Sequence, residues 1–152
     1  MSFLNAVINR VGDEQLRENF QERVDIIQHK IKFMDKVAVA CLDTRNNLKK
    51  DLEALIAEAG GVLQDDVHTA RVVIYYEKST SMLQLMGVVP SLLDKGWPAV
   101  EYDRIYLWDD EAAMADEADV AVNALEDLAE MLYPGYFVFG NEGKTWMSFK
   151  TQ

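Results

Sequence analysis

No lysine or arginine occurs between Arg104 and Lys144. Nine acids inside that span fall within Leu107–Leu132, namely Asp109, Asp110, Glu111, Asp116, Glu117, Asp119, Glu126, Asp127 and Glu130, and have no local cation to pair with. Cysteine is nearly absent. Cys41 stands alone, so no internal disulfide can form, and a reducing, cytoplasmic location is expected. Cys41 lies in KVAVACL with no histidine beside it, and reads as a small buried hydrophobe rather than a nucleophile. The two histidines, His29 and His68, belong to no HExxH pattern or cysteine cluster, so neither metal nor cofactor is expected. No apolar run approaches the roughly 20 residues of a membrane span. The opening MSFLNAVINRVGDEQ lacks the basic start and long apolar stretch of a signal peptide.

Basic residues are scarce overall, 15 against 26 acids, for a formal net charge of −11. Binding phosphates requires clustered Lys and Arg, so direct nucleic-acid or membrane binding is not expected. Hydrophobic residues make up 49% of the 152, which is enough for a single domain with a real core. We expect one domain over 1–152, with a helical part at 1–61 and a sheet-plus-helix part at 70–152.

Glycine and proline are missing from Glu14 to Ala59. Phe20, Val24, Ile27, Ile31, Met34, Ala38, Cys41, Leu48, Leu52, Leu55 and Ala59 recur at heptad spacing through that stretch, interrupted only by Arg45. An unbroken helix there would be roughly 69 Å long at 1.5 Å per residue. Burying its seam would need a partner helix, hence a coiled coil and a homo-oligomer. In the rival reading Lys36–Leu42 is a buried strand, with Asp43 and Thr44 capping a separate helix. The chain then follows a ferredoxin-like βαββαβ order behind an N-terminal helical extension. The preferred fold is α+β: a long N-terminal helix or helix pair, then a small sheet with one amphipathic acidic helix.

Other elements are signalled locally. Phe3, Leu4, Val7, Ile8 and Val11 space as a short helix, Gly12 stops it and Asp13 can cap the next. Arg71–Glu77 and Tyr102–Trp108 read as strands, and Tyr136–Phe139 with Thr145–Phe149 as a hairpin. Met82–Trp97 is apolar and broken by Gly87, Pro90 and Gly96. It reads as short helices over a sheet or as an adaptable contact surface carrying Met82, Met86 and Trp97.

The acid-rich stretch resolves into a helix over Asp116–Leu132. Ala121, Leu125, Leu128 and Leu132 form an apolar spine, and Asp116, Asp119, Asn123, Glu126, Asp127 and Glu130 gather opposite. The helix dipole favours the early acids but not Glu126, Asp127 and Glu130 near the C-terminal end. The stripe is thus expected to meet positive charge.

Catalytic motifs find little footing. Asp109, Asp110 and Glu111 lack EF-hand alternation. Gly143-Lys144-Thr145 resembles the end of a phosphate loop, but Val138 stands where the first glycine belongs and a strand follows. No GxSxG occurs. The leading expectation is a non-catalytic acidic interaction module. It would inhibit or regulate a nucleic-acid-binding protein, meeting a basic protein surface through Asp116, Asp119, Glu126, Asp127, Glu130, Met82, Met86 and Trp97. The alternatives are an oligomeric assembly subunit, such as a viral particle component whose acidic face lines a DNA passage, and a carboxylate-dependent enzyme.

Overall fold

The computed structural model describes residues 3–110 and 117–149. Five strands form one sheet: β1 (Val37–Leu42), β2 (Gly61–Leu63), β3 (Val72–Tyr75), β4 (Ile105–Trp108) and β5 (Trp146–Phe149), in the order β2-β1-β3-β4-β5. The first four are mutually parallel, and β5 closes the edge antiparallel to β4, with Trp108 opposite Trp146. Alternate residues go to opposite faces. Val39, Cys41, Val72, Ile74, Tyr106 and Trp108 join one core layer, and Ala40, Leu42, Val73, Tyr75, Ile105 and Leu107 the other. A sheet covered on both faces needs continuous apolar strands, which is why VAVACL and VVIY show no polar alternation.

The first layer holds α1 (Phe3–Asn9), α2 (Glu14–Ile31), α3 (Glu53–Glu58) and α6 (Ala118–Leu132). The second holds α4 (Met82–Val88), α5 (Pro98–Glu101) and two 3₁₀ turns at Val67–Thr69 and Val89–Ser91. Helix α2 buries Phe20, Val24, Ile27 and Ile31 and starts at Asp13, whose carboxylate accepts from the Leu16 N–H at 3.0 Å. Helix α6 packs against α1, α2 and α3.

The unbroken helix from Glu14 to Ala59 is not formed. Helix α2 stops at Ile31, and Val37–Leu42 is strand, within the Lys36–Leu42 segment that the rival reading made a strand. Heptad spacing ran on because a strand apolar on both faces supplies a hydrophobe at whatever position the seam requires. Arg45 does not interrupt a core. It is exposed in the turn after β1. The coiled coil falls with the helix, and the homo-oligomer inferred from it loses its basis. The ferredoxin-like alternative is also excluded, since β1 pairs in parallel with both β2 and β3 and β3 in parallel with β4. The expected C-terminal hairpin is replaced by β5 crossing to β4, and the sheet draws strands from both sides of the boundary set near residue 61.

Candidate ligand-binding edge

Strand β1 leads through α3 on one face, while β3 leads through α4 and α5 on the other. Chains leaving adjacent parallel strands in opposite directions open a crevice at the strands' carboxyl ends, the usual ligand position in open α/β sheets. At that position in this sheet, between β1 and β3, lie the loops Asp43–Asn47 and Glu77–Ser81, with Asp109 and Asp110 following β4.

Hydrogen bonds fix these loops to each other. The Thr44 hydroxyl donates to Glu77 Oε1 at 2.7 Å and its backbone N–H at 3.2 Å, while Thr80 Oγ1 donates to Glu77 Oε2 at 3.2 Å. Asp43 Oδ1 accepts from the N–H groups of Arg45 and Asn47, each at 2.9 Å. The buried Tyr75 hydroxyl donates to Asn46 Oδ1 at 2.8 Å, and Asn46 Nδ2 donates to the Leu92 carbonyl at 2.8 Å. Asn46 and Ser79 hold positive φ, 60° and 64°, one in each loop, a backbone conformation that surrounding contacts must enforce.

Asp43 and Glu77 stay ionised. Partial burial alone would raise Asp43, but the Asn47 and Arg45 N–H groups outweigh it and hold its carboxyl below the ordinary range. The Thr44 hydroxyl does the same for Glu77. Asp110 Oδ2 accepts from the Ser79 N–H at 2.8 Å and Asp109 Oδ1 from the Met82 N–H at 3.3 Å, so both acids are engaged at the start of α4. Three cations lie at this edge among the described residues: Lys49, whose charge helps to lower Asp43 and whose ammonium lies 5.1 Å from the Tyr76 ring centroid, and Arg45 and Lys78. Arg45 and Lys78 are exposed, and neither side chain has a polar partner among the described residues.

The acidic stripe of α6 lies elsewhere and faces inward. Glu126, Asp127 and Glu130 are only 8%, 1% and 6% exposed. Arg23 of α2 grips Glu126 with a forked guanidinium and also donates to Asn123 Oδ1 at 2.7 Å. Asp127 accepts from the Trp108 indole and Asn141, and Glu130 from the Trp146 indole and the Phe139 N–H. Asp119 is exposed, and Asp116 lies outside the described residues. Met82 is half-buried, Met86 exposed and Trp97 buried in the second core layer, so the seven of these eight residues that are described do not form one surface. Sequence reasoning gave Asp43 and Thr44 a helix-capping role, although no helix starts there, and did not single out Asn46, Glu77 or Thr80. The signal was the polar run directly after each buried strand. Among the described residues no three His, Cys, Asp or Glu side chains converge as a metal-binding set.

No protein-family model matches the sequence, and no curated protein matches it. Solved structures do. An ABC transporter substrate-binding protein from Listeria monocytogenes EGD-e superposes with a TM-score of 0.65 at 16% identity, over 78% of this chain and 56% of that one. The CeuE–Ni-His complex of Helicobacter pylori gives 0.54 at 12% identity, over 78% and 44%. A periplasmic heme-binding protein from Pseudomonas aeruginosa gives 0.51 at 14%, over 80% and 51%. The fold is of the periplasmic-binding-protein kind. The chain spans about half the length of these structures.

These neighbours and the burial of the α6 carboxylates overturn several expectations. An acidic module aimed at a basic protein surface, as inhibitor or regulator, would need Glu126, Asp127 and Glu130, which are buried, and the neighbours are named for small ligands and transport. The assembly or viral subunit depended on the long helix and is withdrawn with it. The cytoplasmic location, argued from one cysteine and the N-terminal sequence, does not stand against neighbours of this kind.

Proposed function

We propose that this chain forms a ligand-facing lobe, one unit over 1–152, of an extracytoplasmic binding protein, and that its ligand is a small metal complex carrying negative charge. The observation that carries this reading is the pair of exposed cations, Arg45 and Lys78, whose side chains have no polar partner among the described residues and which lie in the two loops at the carboxyl ends of β1 and β3. Neighbours of the same fold are named for heme and for nickel–histidine, both metal complexes. Of these, heme bears two propionate groups, which suit a guanidinium and an ammonium. The ionised Asp43 and Glu77 are already occupied by the loops' own N–H and O–H groups. Their role is to hold the loops in place for the ligand.

Absorbance titration with heme and calorimetry with nickel–histidine test this. Saturable heme binding is expected, weaker by about tenfold or more in Arg45→Ala/Lys78→Ala, which is roughly 1.4 kcal/mol of binding free energy. Thermal stability of that variant should be unchanged, since neither side chain supports the fold. Heme affinity that ignores both substitutions, or preference for nickel–histidine, would defeat the anionic-ligand reading.

A further inference from the structure

The opposite end of the sheet carries a surface of different character. Helix α2 ends at Ile31 and enters β1 through Lys32–Lys36, at the amino end of the parallel strands. The loop after α6 comes to the same end, because Arg104, just before β4, donates to the carbonyls of Met131 and Leu132. Two bonds tie these segments together. The Tyr133 hydroxyl donates to the Asp35 carbonyl at 2.9 Å, and Lys30 Nζ donates to the Tyr136 carbonyl while lying 5.0 Å from the Phe137 ring centroid.

Large apolar side chains project from both segments. Phe33 is 86% exposed, Val138 81% and Tyr136 57%. Scattered single exposed hydrophobes are ordinary, but three on two joined turns make a patch. Lysines surround it: Lys30, Lys32 and Lys36, all exposed, against Asp35 as the one acid of the turn. Lys30 is occupied by the Tyr136 carbonyl and Lys32 lies over the Phe33 ring at 5.5 Å. The Lys36 side chain has no polar partner among the described residues. In a chain with a net charge of −11, Lys30, Lys32 and Lys36 within seven residues form a local basic cluster beside these tips.

We propose that this amino-end surface docks on an anionic lipid bilayer, with Phe33, Tyr136 and Val138 entering the headgroup region and the lysines meeting lipid phosphates. Phe33, Tyr136 and Val138 are each more than half exposed, which suits insertion into a soft interface better than acceptance of another protein's side chain. Lysine attraction to anionic lipid reaches about a Debye length, roughly 8 Å in physiological salt, so acids on remote faces are screened from the contact. Docking this way leaves the β1–β3 crevice pointing away from the membrane. The inference is independent of the ligand reading.

Flotation with phosphatidylcholine vesicles, with and without phosphatidylglycerol, tests it. Binding to the anionic vesicles alone is expected, and it should weaken steeply as salt is raised. Phe33→Ser/Val138→Ser and Lys32→Gln/Lys36→Gln should each lower vesicle affinity by about tenfold or more, with melting curves unchanged. Lack of binding to anionic vesicles would overturn the proposal. So would equal binding to neutral ones, or binding that survives both double substitutions. Sedimentation showing a dimer that Phe33→Ser dissociates would assign the patch to a second copy and overturn it equally.

Discussion

The Trp108 indole N–H donates to Asp127 Oδ2 at 3.1 Å, and three residues further along α6 the Trp146 indole donates to Glu130 Oε1 at 3.2 Å. Two paired strands thus each use an indole to fasten one carboxylate of the same helix. No cation meets either acid among the described residues; Arg23, the nearest basic contribution to this face of α6, is engaged with Glu126 and Asn123.

Acidity should therefore stabilise the protein at first. Burial pushes Asp127 up to about 6, with the charge of Glu130 acting the same way, against the opposing hydrogen bonds from Trp108 and Asn141. A carboxyl whose folded pKa exceeds its unfolded value of about 3.9 binds its proton more tightly in the folded chain. Lowering the pH from about 8 through 6 relieves a charge that costs roughly 1–3 kcal/mol. Below about pH 4 the trend reverses, because Asp43 and Glu77 are held below their ordinary values and their stabilisation is lost on protonation. Melting temperature should peak on the acid side of neutrality, and Asp127→Asn should flatten the rise between pH 8 and 5. A profile that falls steadily from pH 8 would contradict this.

Arg23 is the cation that the α6 acids lack locally. Arg23→Ala would leave the Glu126 carboxylate buried without its fork, at a cost of about 2–4 kcal/mol by urea unfolding. Adding Glu126→Gln should recover part of that loss, because a buried amide costs less than a buried charge. Additive losses in the double variant would show that the two side chains act separately.

Gly60 ends α3 at φ 93°, and a Cβ there would overlap the Tyr133 hydroxyl. That hydroxyl donates to the Asp35 carbonyl, so the ring cannot simply withdraw. Gly60→Ala combines left-handed strain with a clash and should cost about 2–4 kcal/mol. Gly135, whose φ is 86° with open space around its Cβ position, isolates the strain component, and Gly135→Ala should cost only about 1 kcal/mol. Equal losses at the two sites would remove Tyr133 from the explanation.

The Thr44–Glu77 bonds make the two crevice loops one unit. Glu77→Ala frees the Thr44 and Thr80 hydroxyls and the Thr44 N–H together, and about 1–2 kcal/mol of stability should go with them. Amide exchange should quicken over 43–47 as well as around the substitution. Exchange that changes only near residue 77 would mean that the loops are independent.

Features encoded by neighbouring residues could be read from the sequence. The Asp13 cap, the α1 spacing, the stop at Gly12 and the leucine spine of α6 each involve residues a few positions apart. The β3 and β4 strands were legible for the same reason. Pairing was not, because the parallel order depends on contacts such as Val39 with Val72 and Val73 with Ile105. The α6 acids show the limit most clearly. Their stripe was placed on the right helix, yet its partners are Arg23, Trp108, Asn141 and Trp146, none of which its own periodicity could reveal. The crevice was overlooked because its residues, from Asp43 to Asn47 and from Glu77 to Ser81, look like ordinary turn chemistry until the topology sets them side by side.

The antiparallel seat of β5 also has a consequence for biosynthesis. Strand β4 leaves the ribosome well before Trp146, so for that interval the nascent sheet ends in an open edge bearing Ile105, Tyr106, Leu107 and Trp108. Unpaired apolar edges recruit other chains. Helix α6 emerges in between, carrying carboxylates whose indole and amide donors are only partly made. Early chain release or slow elongation in this region would therefore leave a species prone to cross-strand aggregation, and the four-residue β5 serves as the cover that ends that exposure.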